Sequence, residues 1–448
     1  MSRSDVRTRV VILGAAGRDF HNFNLVYRDD PASEVIAFTA AQIPGIGARR
    51  YPASLAGPLY PRGIGIVDES GLEVLLRSER IQQVVLAYSD LSHIEVMHLA
   101  SRVLACGADF LLLGPERTML RARVPVIAVS AVRTGCGKSQ TARWIARRLH
   151  ARGLRVAVVR HPMPYGDLEA AAVQRFACAA DLDAAHCTIE EREEFEPHLA
   201  AGNVVYAGID YARVIERAAG EADLILWDGG NNDFPFVRPD LHVVLVDALR
   251  PGHETTHHPG EAVLRMADVV VIAKTDAAPQ ADADRLAQAA RAANPAARVV
   301  RAASPVRLDD PGAVRGRRVL VIEDGPTITH GGMASGAGHR AAVQSGAREL
   351  IDPRPYATAG LARMYANHPH IGRVLPALGY SEEQIEELRA TIERCAPDVV
   401  VSATPCDLAQ LLGAGVPVVR ARYEFAEAGE PGLGAVLDEF LDKRLPQR

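Results

Sequence analysis

Residues 124–142 read "VPVIAVSAVRTGCGKSQTA", and this stretch decides the fold. An apolar run, Val124 to Ser130, enters a glycine-rich turn. A helix-forming segment, "SQTARWIARRLHARG", follows. Strand, glycine turn and helix is the context that a phosphate-binding loop requires. Gly135 and Gly137 permit close backbone approach. The backbone N–H groups of Thr134, Gly135, Cys136, Gly137, Lys138, Ser139 and Gln140 can then surround a phosphate. Lys138 supplies charge for the β and γ oxygens, and Ser139 a hydroxyl for Mg²⁺. The usual loop opens with a glycine five residues before the glycine of its Gly-Lys pair, where this chain has Val132.

Working outward, an acid must hold Mg²⁺ through water at the end of another core strand. "ADLILWDGGNNDFPF" offers Asp228 after four apolar residues. Gly229 and Gly230 leave room for a ligand, and Asn231, Asn232 and Asp233 lie in the same loop. Asp228 and Ser139 are the expected metal residues. "VVVIAKTDA" carries Lys274 and Asp276 at the second and fourth positions of the guanine-reading N-K-x-D signature, with Ala273 in place of Asn. The expected cofactors are therefore ATP, with GTP the other option, and Mg²⁺. "RPGHETTHHPGE" brings together His253, His257 and His258, either a metal cluster or a loop near the nucleotide. "TIEEREEFEPH", with Glu190, Glu191, Glu193, Glu194 and Glu196, reads first as a solvated helix face.

The rest of the chain repeats the pattern of apolar strand, glycine turn and helix. Continuous apolar strands alternating with helices indicate parallel sheets covered on both faces. The fold class is α/β, in three parts. Residues 1–122 form a Rossmann-like domain with an anion or substrate pocket, and residues 123–326 a P-loop NTPase domain with a mainly parallel sheet. Residues 327–448 form a glycine-rich loop and a small C-terminal α/β segment that packs against the first domain. The strand "VLVIEDGP" closes the second part. The first domain's "LGAAGRDFHNFN" lacks the spacing of a dinucleotide fingerprint. It does gather Arg18, Asp19, His21 and Asn22 past the turn. Arg49, Arg50 and Arg62 follow among turn residues, and Arg160 and His161 end a strand of the P-loop domain. Arginine forks suit phosphate and carboxylate, so these residues are the candidate substrate set.

Composition narrows the function. A net charge of −5 over 448 residues argues against a general nucleic-acid binder. The six cysteines form no C-x-x-C pair, which fits a reduced cytoplasmic setting. No stretch approaches the roughly 20 apolar residues of a membrane span. The expected partner is a small phosphorylated acid, without nucleic acid or membrane.

"R-T-G-C-G-K-S" resembles the P-loop of the superclass that includes the nitrogenase iron protein and dethiobiotin synthetase. In that form a basic residue stands five before the P-loop lysine. Here it is Arg133, either a solvated side chain or a catalytic one that reaches phosphate, across a homodimer in one version. "GAAGRDFHNFN", "RRYPASLAGPLYPRGI", "RTGCGKSQT", "TIEEREEFEPH", "WDGGNND", "EDGPTITHGGM", "DPRP" and "SATPCDL" together resemble the cyclic 2,3-diphosphoglycerate synthetase family. That resemblance implies an ATP-dependent ligase that phosphorylates a bisphosphorylated acid and closes a cyclic phosphoanhydride. Lys138, Arg133 and Asp228 would be its catalytic residues. The competing expectation is a regulatory or chaperone NTPase with a protein partner, which Lys274 and Asp276 favour.

Overall fold

The computed structural model describes residues 7–15, 17–40, 49–161, 166–230, 233–329, 331–377, 382–404 and 415–445. Three α/β units lie along the chain, as the strand periodicity requires. In the first, a six-stranded sheet runs Arg50–Tyr51, Ile64–Asp68, Ser33–Ala40, Thr8–Leu13, Gln83–Leu86, Asp109–Leu112. It is parallel except for the short Arg50–Tyr51 edge. The order reverses between Thr8–Leu13 and Gln83–Leu86, which opens a crevice at their carboxyl ends.

The second unit is a nine-stranded sheet with the P-loop strand Val126–Ala131 at its centre, between Leu224–Asp228 and Leu241–Asp247. All six residues of the central strand are buried. Ile127 and Val129 join the core on one face, and Val126 and Ala128 the core on the other. That alternation follows from the period of two along a strand. Each buried valine or isoleucine contributes on the order of 1.5–3 kcal/mol.

The third unit differs from the sequence expectation. Strand Arg318–Asp324, expected to close the P-loop sheet, is instead a central strand of a separate sheet. Val306–Leu308, Val418–Tyr423, Val399–Ala403, Glu349–Leu350 and Leu375–Ala377 complete that sheet. The third unit therefore begins near residue 306 and not 327. The chain does not end in it either. Helix Leu433–Arg444 returns to the P-loop core, where Leu433, Leu437 and Leu441 are buried. Asp438 there takes hydrogen bonds from Arg148 and Arg152. The third unit bonds to the P-loop unit: Arg340 donates to the Ser304 carbonyl and Thr404 to Glu193. An apolar strand flanked by polar loops looks the same in either sheet. Pairing of Val319 with Val399, eighty residues on, decides its membership. Among the described residues no helix is long and apolar enough to cross a membrane.

Candidate nucleotide and acceptor site

The three units meet around one cleft of about 2250 Å³ that contains the P-loop. Gly135 and Gly137 have φ of +79° and +105°, which disfavours side chains there. Space agrees: a Cβ on Gly137 would stand 2.5 Å from Gln140 Nε2, and one on Gly135 3.0 Å from Thr327 Cγ2. Gly137 caps helix Lys138–Ala151, so the helix amides face the cleft. Burial lowers the proton affinity of Lys138, and the Asp228 carboxylate opposes that shift.

Asp228, the acid proposed from the sequence, ends its strand and is fully buried. Its Oδ2 lies 2.5 Å from Arg160 and 2.9 Å from His198 Nε2. Burial alone would raise its pKa. Arg160, His198 and Lys138 outweigh that and hold the carboxyl below the usual carboxylate range. Asp228 Oδ1 has no hydrogen-bond partner among the described residues. Arg160 also donates to the Ser139 hydroxyl at 3.4 Å, which brings the serine and the acid to one guanidinium, and the orphan oxygen fits Mg²⁺. That ion uses one or two carboxylates plus phosphate oxygens and not an all-protein cage. The described residues hold no cluster of three or more His, Cys, Asp or Glu arranged for a metal. The histidines near 253 serve elsewhere. His253 bonds Arg133, and His257–His258 pairs with Leu91–Ser92 of the first unit.

Several expected residues are placed differently. Arg133 is buried and bound to Asp90 Oδ1 at 2.6 Å, with His253 Nδ1 also at 2.6 Å. Its guanidinium thus clamps the first unit to the loop. Cys136 is buried and accepts from Arg250, which also holds the Thr134 carbonyl. Lys274 donates to the Gly135 carbonyl at 2.6 Å and to Asp247 at 2.8 Å. Asp276 spends one oxygen on the Ser304 N–H, and the Ser304 hydroxyl bonds Gln140.

The substrate set divides. Arg18, Asp19, Arg160 and His161 border the cleft. Arg18, however, is committed to Asp233 at 2.9 Å and lies over the Phe236 ring. Asp19 accepts the Gly17 and Phe20 N–H groups. His21 stacks on Phe236 at 4.0 Å and bonds the Thr118 carbonyl, and burial holds it neutral. Asn22 is buried. Arg49 donates to the Gly166 carbonyl, and Arg50 to those of Arg62 and Gly63. Arg62 is exposed. None of these last five lines the cleft. Asn231, Asn232 and His330, and the side chain of Glu190, lie outside the described residues.

Helix Ile189–Ala200 corrects another expectation. Thr188 caps it with Glu191. Glu193, Glu194 and Glu196 face the cleft and not only solvent. Glu194 pairs with Arg160, and Glu193 Oε1 accepts from the Thr404 hydroxyl at 3.3 Å. His198, four residues after Glu194, reaches Asp228 from the same face. Its other nitrogen faces the Asn203 amide at 3.3 Å, which sets an Nε2–H tautomer. Sequence reading missed His198. The i, i+4 pair Glu194 and His198 was the available signal. Asp247, fully buried and shared by Lys274 and Arg250, was missed too.

Strand, loop, acid and helix together define a P-loop nucleotide-binding protein. The CobW/HypB/UreG nucleotide-binding domain model matches residues 134–301. Over nearly the whole length, the chain is 55% identical to arginine synthetase ArcE of Thermococcus kodakarensis, covering 97% of each. The chain belongs to the arginine synthetase ArcE family. Among solved structures, it resembles LpxK of Aquifex aeolicus in complex with ATP at 14% identity and TM-score 0.41, covering 72% of this chain and 90% of that one. It also resembles the hydrogenase maturation factor HypB of Archaeoglobus fulgidus at 16% identity and TM-score 0.26, covering 40% and 80%.

The whole-length relative overturns the resemblance to cyclic 2,3-diphosphoglycerate synthetase. The structure supplies the physical reason. The arginines expected to cage a bisphosphate are committed to Asp233 and to backbone carbonyls, or stand in solvent. What remains is a nucleotide-binding domain of the type used by ATP- and GTP-dependent enzymes.

Proposed function

We propose that this chain is an ATP-dependent synthetase that forms arginine. Whole-length identity of 55% to a named arginine synthetase carries the reading. The cleft that joins the P-loop to the Glu193–Glu194 wall supports it.

The chemistry dictates the other substrates. A guanidino group arises from a ureido group when nitrogen replaces the carbonyl oxygen. Oxide is too poor a leaving group to depart unaided. The ureido oxygen therefore attacks the γ-phosphorus, the bond to the β,γ-bridging oxygen breaks, and ADP leaves. Ammonia then adds to the ureido carbon. The C–O bond breaks, phosphate departs with that oxygen, and a proton passes from nitrogen to solvent or phosphate. The sum is ureido amino acid, ammonia and ATP giving arginine, ADP and phosphate.

Each residue has a task in this scheme. Lys138 and the loop amides offset charge that builds on the transferred phosphoryl group. Asp228 and Ser139 would hold Mg²⁺, which lowers repulsion between phosphate oxygens when bound. Arg160 keeps Asp228 ionised and His198 keeps it oriented. The glutamates of Ile189–Ala200 favour the positive charge that develops as the ureido carbon is activated.

Incubation of the full chain with citrulline, ammonium, ATP and Mg²⁺ tests this, with arginine and ADP measured together. Equal amounts of both are expected. Steady ATP or GTP hydrolysis without arginine, independent of the amino acid, would refute the synthetase and favour a regulatory NTPase.

A further inference from the structure

Helix Lys138–Ala151 carries Arg143 four residues after Ser139, on the same face. Arg143 lines the cleft and is half-buried. Tyr423 is the first of its charged neighbours and Asp228 the second. Among the described contacts Arg143 makes no hydrogen bond or ion pair. A half-buried guanidinium at a cleft wall is placed to receive an anion.

The opposite wall comes from the third unit. Tyr423 ends strand Val418–Tyr423 and lines the same cleft. Its hydroxyl has Asp324, Arg143, Glu323 and Glu193 as charged neighbours. Thr404, just past strand Val399–Ala403, ties Glu193 to this wall. One guanidinium, one phenol and carboxylates thus line the same cleft as close charged neighbours. Glu193 would repel a phosphate, while Asp324, whose Oδ2 accepts from the Thr327 N–H and hydroxyl, adds a second acceptor at this wall. An ammonium and a carboxylate on one small molecule satisfy both signs.

We propose that Arg143 and Tyr423 bind the α-carboxylate, and Glu193 and Asp324 the α-ammonium, of the amino acid substrate. The inference rests on the synthetase reading above and assigns the end of the substrate away from the reacting carbon. With its backbone groups held there, the side chain is free to extend toward Lys138 and Asp228.

Arginine and agmatine, its decarboxylated counterpart, separate the possibilities. Both are titrated calorimetrically into the full chain with ADP present, using the parent, Arg143→Gln, Arg143→Lys and Glu193→Gln. The parent should prefer arginine. Arg143→Gln should lose roughly ten- to hundredfold toward arginine, the scale of one charged hydrogen bond, and about twofold or less toward agmatine or ADP. Arg143→Lys should recover part of the loss, and Glu193→Gln should weaken both ligands through the shared ammonium. Melting curves of each variant separate lost contacts from lost fold. An equal loss for arginine and agmatine in Arg143→Gln, or a loss falling on ADP, overturns the site. A parent that binds neither amine overturns the synthetase reading itself.

Discussion

Replacing Arg160 by methionine should weaken the fold, and by an amount that depends on pH. Arg160 and Asp228 have side chains 3% and 0% exposed, with 2.5 Å between them. Methionine preserves most of the stem and removes the charge. Asp228 then loses its ion-pair partner and keeps His198, which burial holds below the ordinary histidine range, and the more distant charge of Lys138. Breaking a buried pair by removing one partner costs about 3–5 kcal/mol. The carboxylate has an escape, since it can take up a proton. At pH 7, neutralising a group of ordinary pKa near 3.9 costs about 4 kcal/mol at 1.36 kcal/mol per unit. The two routes agree, so the loss should be about 3–4 kcal/mol. For a unit of this size that is a fall in Tm of roughly 6–16 °C. The sign of the pH effect follows from linkage. In the parent the Asp228 pKa is depressed, so its contribution is present above the unfolded value near 3.8 and lost only below it. Between pH 5 and 8 this group leaves the parent unchanged. In the variant, burial raises the same carboxyl, the folded state gains a proton, and the deficit should shrink as pH falls from 8 to 5. Calorimetric scans of both proteins without nucleotide measure this. A deficit below about 1 kcal/mol with no pH dependence would show that Arg160 does not neutralise Asp228, and the assignment of the acid would fall with it.

Lys138→Ala should reduce turnover at least about a hundredfold while leaving Tm within a few degrees, because the side chain serves phosphate and not packing; phosphate release beside a melt decides it. Asp228→Asn should raise the Mg²⁺ concentration needed for half-maximal activity more than it raises the nucleotide requirement, and an unchanged Mg²⁺ titration would move the metal to another acid such as Asp247. ATP should support turnover at least as well as GTP, since Ala273 removes one leg of the guanine signature and Asp276 gives an oxygen to Ser304; a strong GTP preference lost in Asp276→Ala would reverse this. Burial pushes the Glu323 carboxyl up to about 7 against three backbone N–H donors. Its stabilising contribution is therefore full below the unfolded value near 4.5 and lost as pH rises through about 7, and Glu323→Gln should flatten the Tm profile of the third unit over that window.

Much of the nucleotide site was legible because its parts are local. Gly135, Gly137, Lys138 and Ser139 lie within five residues, and their roles follow from backbone freedom, charge and a helix terminus. Asp228 could be placed because a strand of apolar residues ends in an acid and two glycines. The α/β class followed from strand periodicity for the same reason. The acceptor side was not local. Arg18 looked like a substrate ligand, yet its partner Asp233 lies 215 residues away, and no pattern near Arg18 announces it. Arg133 looked catalytic until Asp90 arrived from another sheet. The acidic helix Ile189–Ala200 reads as a solvated face from its composition. Only the parallel pairing of strands Val156–Arg160 and Leu224–Asp228 sets Arg160 beside Asp228, where Glu194 and His198 reach them.

The sequence by itself determined which segments are strands and helices and where a phosphate can sit, because those properties depend on neighbours a few residues apart. Tertiary structure alone decided which sheet holds Arg318–Asp324, which arginines remain for a ligand, and which carboxylates face the nucleotide. Each of those depends on which distant group completes a hydrogen bond or neutralises a buried charge, and a charge buried without its partner costs several kcal/mol wherever it lies in the chain.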